Sequence, residues 1–210
     1  LAAQTGCILT ETLDDFLETL LAFQMLRIRA KRPTERVVLF GNGGGTSVLA
    51  TDYFSKLDLT INPLGGATLS ALEALNLPPG TSVVNPIDTP VMTLQTDEGR
   101  VAEKILDAVY ASGQTDAVVM HLNLASFQGR GPVDPLDNLI QAAVRTKERY
   151  PSQAHFLLVL RSDGEATLDD IKRKYRTRAN EAGIPVYDEL SNAARVLHSL
   201  AKLERFRASC

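Results

Sequence analysis

Tryptophan is absent from this sequence, and cysteine and histidine are nearly so. Two cysteines, Cys7 and Cys210, stand at opposite ends of the chain, and nothing in their spacing pairs them. That excludes a disulfide scaffold and points to a reducing, cytoplasmic compartment. Three histidines, His121, His155 and His198, are scattered rather than clustered, so no metal site is expected. No apolar run is long enough to span a bilayer, and the amino terminus lacks a signal-peptide layout. A net charge of -3 argues against general affinity for nucleic acid or for an anionic membrane. Nor does the sequence present a nucleophile, a base and an orienting group together, so no catalytic residue is assigned.

What is present is enough apolar material for a core: 44% of the 210 residues are hydrophobic, which suits one large domain or a domain with an appendage. The chain opens at Leu1 in what reads as the middle of a segment and is expected to be an excised piece of a longer polypeptide. Strands are expected at 36–40, 58–62, 81–84, 116–122, 155–160 and 185–187. Ala117-Val118-Val119-Met120 and Phe156-Leu157-Leu158-Val159-Leu160 are nearly continuous apolar runs, the pattern of strands buried on both faces of a parallel sheet. Helices should separate them. Thr96 is placed to cap one that carries Val101, Ile105 and Val109 on one face and stops at Gly113. Thr167 is placed to cap a second that stops at Gly183, and a third starts near Asp188. Residues 12–29 form a separate amphipathic helix capped by Thr10 or Thr12, and Lys31-Arg32-Pro33-Thr34 breaks it. This alternation predicts an α/β fold, doubly wound on a mainly parallel sheet, over residues 33–210, with 1–32 leading into it.

One segment offers chemistry. Arg36-Val37-Val38-Leu39-Phe40 runs into Gly41-Asn42-Gly43-Gly44-Gly45-Thr46-Ser47, and an apolar-periodic helix follows. Glycines let a ligand approach the backbone, the first helical amides lack intrahelical partners, and the macrodipole adds positive potential. Phosphate suits such a place. A mononucleotide P-loop would end Gly-Lys-Ser/Thr, and the lysine is missing here. A dinucleotide fingerprint is matched by Gly41 and Gly43 only in its first half: Thr46 stands at the third glycine, and Asn62-Pro63 stands where an acidic residue would close the second strand. A bare phosphoryl group held by Gly43, Gly44, Gly45, Thr46 and Ser47 is the third reading, with Thr46 or Ser47 capping the helix; a tight turn without a ligand is the alternative. Asn85 and Asp88 follow the expected strand 81–84 on the same edge and would shape the neighbouring loop, unless Asn85-Pro86 is simply a turn. His121 ends an apolar strand on that edge, where a satisfied near-core histidine is the usual finding. The basic run from Lys172 to Arg178 reads as a solvated helix face.

Taken in order, several motifs resemble one family. Asn42-Gly43-Gly44-Gly45-Thr46-Ser47-Val48-Leu49-Ala50-Thr51-Asp52 resembles the Asn-x-Gly-Gly-x-x-Val-Leu-Ala-x-Asp segment of the nucleoside-diphosphate-forming acyl-CoA synthetases. Leu77-Pro78-Pro79-Gly80 with Asn85-Pro86-Ile87-Asp88 is similar to a second segment of that family, and Gly183-Ile184-Pro185-Val186-Tyr187 with Ala193-Ala194 resembles its closing strand and helix. Gly6-Cys7-Ile8 and Leu13-Asp14-Asp15-Phe16 look like its link out of a preceding domain. The family includes ADP-forming acetyl-CoA synthetases and is related to succinyl-CoA synthetase. It interconverts acyl-CoA, ADP and phosphate with acid, CoA and ATP through a phosphohistidine.

The resemblance implies a flavodoxin-like ligase module whose helix N-terminus, after the glycine loop, faces the phosphoryl group. CoA, ADP or ATP, phosphate and magnesium would be used by the parent enzyme, with no cofactor bound by this chain alone. Its partners would be CoA-binding and phosphohistidine domains and an ATP-grasp domain or subunit, in a homo- or hetero-oligomer. The family's mobile histidine sits in a Ser-His-Thr-Gly-like motif, and none of His121, His155 or His198 does. A non-catalytic binding or docking module, assembling through the helices 12–29 and 188–207, is the rival expectation.

Overall fold

The computed structural model describes residues 5–30, 32–127, 135–151 and 153–209. Leu1, Lys31 and Cys210, named above, lie outside them. Five parallel strands form one sheet in the order β2-β1-β3-β4-β5: Val37–Gly41 (β1), Ile87–Asp88 (β2), Ala117–Asn123 (β3), His155–Arg161 (β4) and Val186–Tyr187 (β5). This is the flavodoxin-like doubly wound order, as expected.

The apolar runs divide strictly by parity. Val38 and Phe40, Val118, Met120 and Leu122, and Phe156, Leu158 and Leu160 face one layer. That layer is built from Gly66–Glu73 (α3), Val91–Gln95 (α4), Arg100–Ala111 (α5), Pro135–Arg149 (α6) and Ala166–Glu181 (α7). Val37 and Leu39, Ala117 and Val119, and Leu157 and Val159 face the other, made by Leu13–Met25 (α1), Gly44–Lys56 (α2) and Leu190–Ser209 (α8). Both faces are therefore covered, and the strands contain no polar alternation because neither face meets water.

Several local expectations are corrected. Residues 58–62 form no strand: only Thr60 bridges to Arg36, through its own amide to the Glu35 carbonyl (2.7 Å) and its carbonyl from the Val37 amide (2.9 Å). Residues 81–84 form no strand either. Ser82 makes an isolated antiparallel bridge to Asp88, and the strand that pairs with β1 is Ile87–Asp88. The gap beside β1 is filled by a side chain. Asn85 Oδ1 accepts from the Leu39 amide (3.0 Å), and its Nδ2 donates to the Val37 carbonyl (2.8 Å) and to the Asn62 carbonyl (3.0 Å). One carboxamide thus takes the ladder bonds that a neighbouring strand would have taken.

Helix ends differ as well. Thr96 does not cap α5; it opens a short 3-10 segment, Thr96–Gly99, in which Asp97 and Glu98 are left-handed, and the cap is Gly99 at φ 81°. Helix α7 is capped by Glu165, which accepts from the Thr167 and Leu168 amides (3.1 Å each), so the cap lies before Thr167 in the chain. Thr12 does cap α1, accepting from the Asp15 amide (3.1 Å), and that helix is shorter than expected, ending at Met25.

The segment after α1 is fastened by two buried acids. Glu204 of α8 accepts from the amides of Arg29 (2.8 Å) and Thr34 (2.6 Å). Asp116, just before β3, gathers Arg29, Arg32 and Arg36. Helix α1 itself is tied to α8 by Asp15 to Arg195 (2.5 Å) and by Glu18 to Asn192. Its outer face leaves Leu13, Phe16, Leu17 and Leu20 exposed. No helix of the described residues is long and apolar enough to cross a membrane.

Candidate functional site

In a sheet of this order, ligands sit beyond the carboxyl ends of the strands at the switch point, here between β1 and β3. The glycine loop leaves β1 at that point. Gly41 is fixed by crowding, because a Cβ there would overlap the His121 carbonyl of β3. Asn42 then turns the chain: its Oδ1 accepts from the Asn123 amide (2.9 Å), and its own amide donates to the His121 carbonyl (3.2 Å). Gly43 takes φ 117°, a value closed to side chains without strain, and serves as the N-cap of α2. The cap is therefore Gly43, not Thr46 or Ser47 as the sequence suggested.

The amides of the first turn are not equivalent. Gly43 N–H donates to Asp88 Oδ1 (3.1 Å), and Thr46 and Ser47 N–H donate to the Gly43 carbonyl (3.0 and 3.2 Å). Among the described residues, no group accepts from the amides of Gly44 and Gly45. A Cβ on Gly44 would overlap Asp88 Oδ2, whereas a Cβ on Gly45 would meet nothing within 4 Å. The helix start thus has one side closed by a carboxylate and one side open, with two unbonded donors and the positive end of the dipole.

The same first turn is met, at Thr46, by a cation that no sequence motif marked. Arg161, the last residue of β4, donates from Nη1 to Thr46 Oγ1 (3.3 Å) and lies 3.5 Å from Glu189 through Nε. Strand parity puts Arg161 on the same face of the sheet as His121 and as the α2 layer. His121 is 2% exposed, and neither ring nitrogen has a hydrogen-bond partner within the described residues. Burial, assisted by the nearby Arg161 charge, lowers its pKa to about 4. It is a near-core residue, as expected, but not a satisfied one. Ser47 is buried beneath the first turn, its carbonyl accepting from Thr51 Oγ1 (3.1 Å).

The structure therefore brings Gly43, Gly44, Gly45, Thr46 and Asp88 together and adds Arg161 and His121. It does not bring Asn85 to them. Asn85 bonds to Val37 and Leu39, towards the other end of β1, where it lines a cavity of about 190 Å³ with Asn62, Gly65 and Gln114. The donor set suits a compact oxyanion: amide donors, a hydroxyl and a guanidinium. It does not suit magnesium. The carboxylate at the loop is Asp88, whose Oδ1 already accepts from Gly43, and among the described residues it belongs to no cluster of three metal-ligating side chains.

The glycine loop and sheet order together define a flavodoxin-like α/β domain with an anion-suited helix start at its switch point. No protein-family model and no curated protein matches the sequence. Solved structures do. PH0766 from Pyrococcus horikoshii OT3 is similar over 100% of this chain and 43% of its own, with a TM-score of 0.77 at 20% identity. The dinucleotide-forming acetyl-coenzyme A synthetase 1 of Candidatus Korarchaeum cryptofilum, in its apo form, is similar over 99% of this chain and 41% of its own, with a TM-score of 0.76 at 18% identity. The same enzyme in complex with phosphate and ADP gives a TM-score of 0.74 at 16% identity. The chain thus shares its fold with a part of these proteins and spans about two fifths of their length.

Proposed function

We propose that this chain is one module of a nucleoside-diphosphate-forming acyl-CoA synthetase, and that its part in the reaction is to hold a phosphoryl group at the start of α2. The observation that carries this reading is the pair of amides, Gly44 and Gly45, that have no acceptor among the described residues, at a helix N-terminus whose Thr46 hydroxyl is met by Arg161. Supporting it are the motif order in the sequence and the full-length likeness in fold to part of an acetyl-coenzyme A synthetase. Preorganised amides and a guanidinium would stabilise a phosphate, or a phosphohistidine brought by another domain, without reorganising as charge develops. Thr46 would add its hydroxyl, and Asp88 would hold the loop by fixing Gly43. CoA and ADP or ATP would be bound by the partner domains, and residues 1–32 would connect this module to one of them.

A phosphate titration of the isotope-labelled chain, followed through amide NMR signals, tests it. Saturable shifts centred on Gly44, Gly45 and Thr46 are expected, with none from NADH or FMN. No response to phosphate at these amides overturns the reading; a response to NADH alone restores the dinucleotide reading.

A second reading, a docking module, is favoured by one observation: Leu13, Phe16, Leu17 and Leu20 form an exposed apolar face on α1. Sedimentation of Phe16→Ser/Leu20→Ser beside the parent chain checks it. Self-association lost in the variant supports docking through α1, and two monodisperse monomers remove that face as a self-docking surface.

A further inference from the structure

A buried imidazole with both nitrogens unbonded is costly to leave as it is, because each polar atom has lost water and gained nothing. Among the described residues His121 is in that position, at 2% exposure. Its place is not arbitrary. Register pairs His121 with Gly41 on one side and with Val159 on the other, and strand parity directs it towards the layer that holds α2. A Cβ built on Gly43 would lie 3.5 Å from His121 Cε1 and 3.9 Å from Nδ1, so this edge of the ring faces the helix cap. With glycine at 43, the helix cap lays no side chain of its own against that edge, although the ring nitrogens are buried. Arg161 lies on the same sheet face and reaches Thr46 in the helix turn that carries the Gly44 and Gly45 amides.

We propose that His121 is a binding residue of the anion pocket: its Nδ1–H, reaching past Gly43, donates a hydrogen bond to an oxygen of the phosphoryl group held at the Gly44 and Gly45 amides. The inference rests on the phosphoryl reading above and adds a residue to it. A neutral imidazole carries one N–H donor and one acceptor, and a phosphoryl oxygen accepts. His121 is neutral at pH 7, so it contributes direction rather than charge, while Arg161 supplies the charge. Glycine at 43, which its φ of 117° already favours, also keeps a side chain from packing in ordinary contact against that edge of the ring.

The test is inorganic phosphate titrated into the full chain, with two probes read in one experiment: the amide signals of Gly44 and Gly45 and the imidazole nitrogen signals of His121. Both should move with one saturation curve. His121→Phe, which keeps the ring volume and removes the donor, should weaken phosphate binding at least about tenfold, the worth of a hydrogen bond to a charged group. His121→Asn, whose amide nitrogen falls near the position of Nδ1, should recover part of that loss. Amide shifts without any change at the imidazole, or equal phosphate affinity in His121→Phe, overturn this inference and leave the phosphoryl reading standing. No amide shifts at all overturn both. Circular dichroism of each variant establishes that it folds, and the imidazole signals of the parent chain decide the matter should His121→Phe not fold.

Discussion

Arg36 and Asp116 are joined through both side chain and backbone. The guanidinium donates to the two carboxylate oxygens (3.0 and 3.1 Å), and the Arg36 amide donates to Oδ2 as well (2.9 Å). Arg29 adds a bond of 2.6 Å, and Arg32 approaches to 2.8 Å. Burial alone would raise the Asp116 pKa, but the Arg36 and Arg29 bonds outweigh it and bring it to about 2. Replacing Asp116 by Asn leaves three arginines facing a neutral amide. The expected cost is about 3 kcal/mol, since a buried charge pair loses one member. Urea unfolding of Asp116→Asn against the parent chain measures it, and a loss under about 1 kcal/mol would mean that water already screens the cluster.

The His121 pKa predicts how stability depends on pH. The folded value, about 4, lies below the ordinary histidine value, so the unfolded chain binds a proton that the folded chain refuses. The contribution is present in full above pH 6.5 and is lost progressively as pH falls towards 4, to an extent on the order of 3 kcal/mol. His121→Phe has no such proton to take up. Its unfolding free energy should therefore be flatter than that of the parent between pH 6.5 and 4. Parallel slopes in the two proteins would show that His121 is not the titrating group.

Two glycines of one loop should behave oppositely. At Gly41 an alanine Cβ would overlap the His121 carbonyl, a backbone atom that cannot move aside, so Gly41→Ala should destabilise by more than about 2 kcal/mol. At Gly45 the Cβ meets open space within a helix, so Gly45→Ala should be neutral or gain up to about 1 kcal/mol. Thermal melts of the pair test the contrast. A severe loss in Gly45→Ala would mean that this turn is closed to a side chain in solution.

Glu204→Gln is predicted to loosen the segment that follows α1. The carboxylate accepts from the Arg29 and Thr34 amides, and an amide group would turn a donor towards one of them. A cost of about 2 kcal/mol is expected, with faster hydrogen exchange at the Thr34 amide. Unchanged exchange there would show that Glu204 does not hold this turn.

Much of this architecture is legible in the sequence because long strands buried on both faces can be written in few ways. β1, β3 and β4 are continuous apolar runs, and their positions follow from composition alone. The two-residue strand β2 does not, because Val83 and Val84 give a stronger strand signal than Ile87-Asp88; the choice between them is made by pairing with β1. Asp97 and Glu98 are left-handed without any glycine or asparagine to announce it. In the site, the glycines are visible as a motif. Arg161 is invisible, because its relation to Thr46 spans 115 positions and exists only once β4 lies on the correct side of β3. His121 is visible as a residue, but its two unbonded nitrogens are a property of packing, which no local pattern encodes.

Asn85 has a consequence for the company this protein keeps. β1 is apolar and bonded by other backbone on its outer side only towards its ends, where Thr60 takes the Val37 amide and β2 pairs with Phe40 and Gly41, so the stretch between would be an open lane for a foreign strand. The carboxamide of Asn85 closes the lane at Leu39 and Val37. It gives β1 the bonds of a neighbour but no backbone along which the ladder could continue. A single side chain thereby acts as a stop mark for sheet growth, guarding against edge-to-edge association where an added strand would itself have needed guarding.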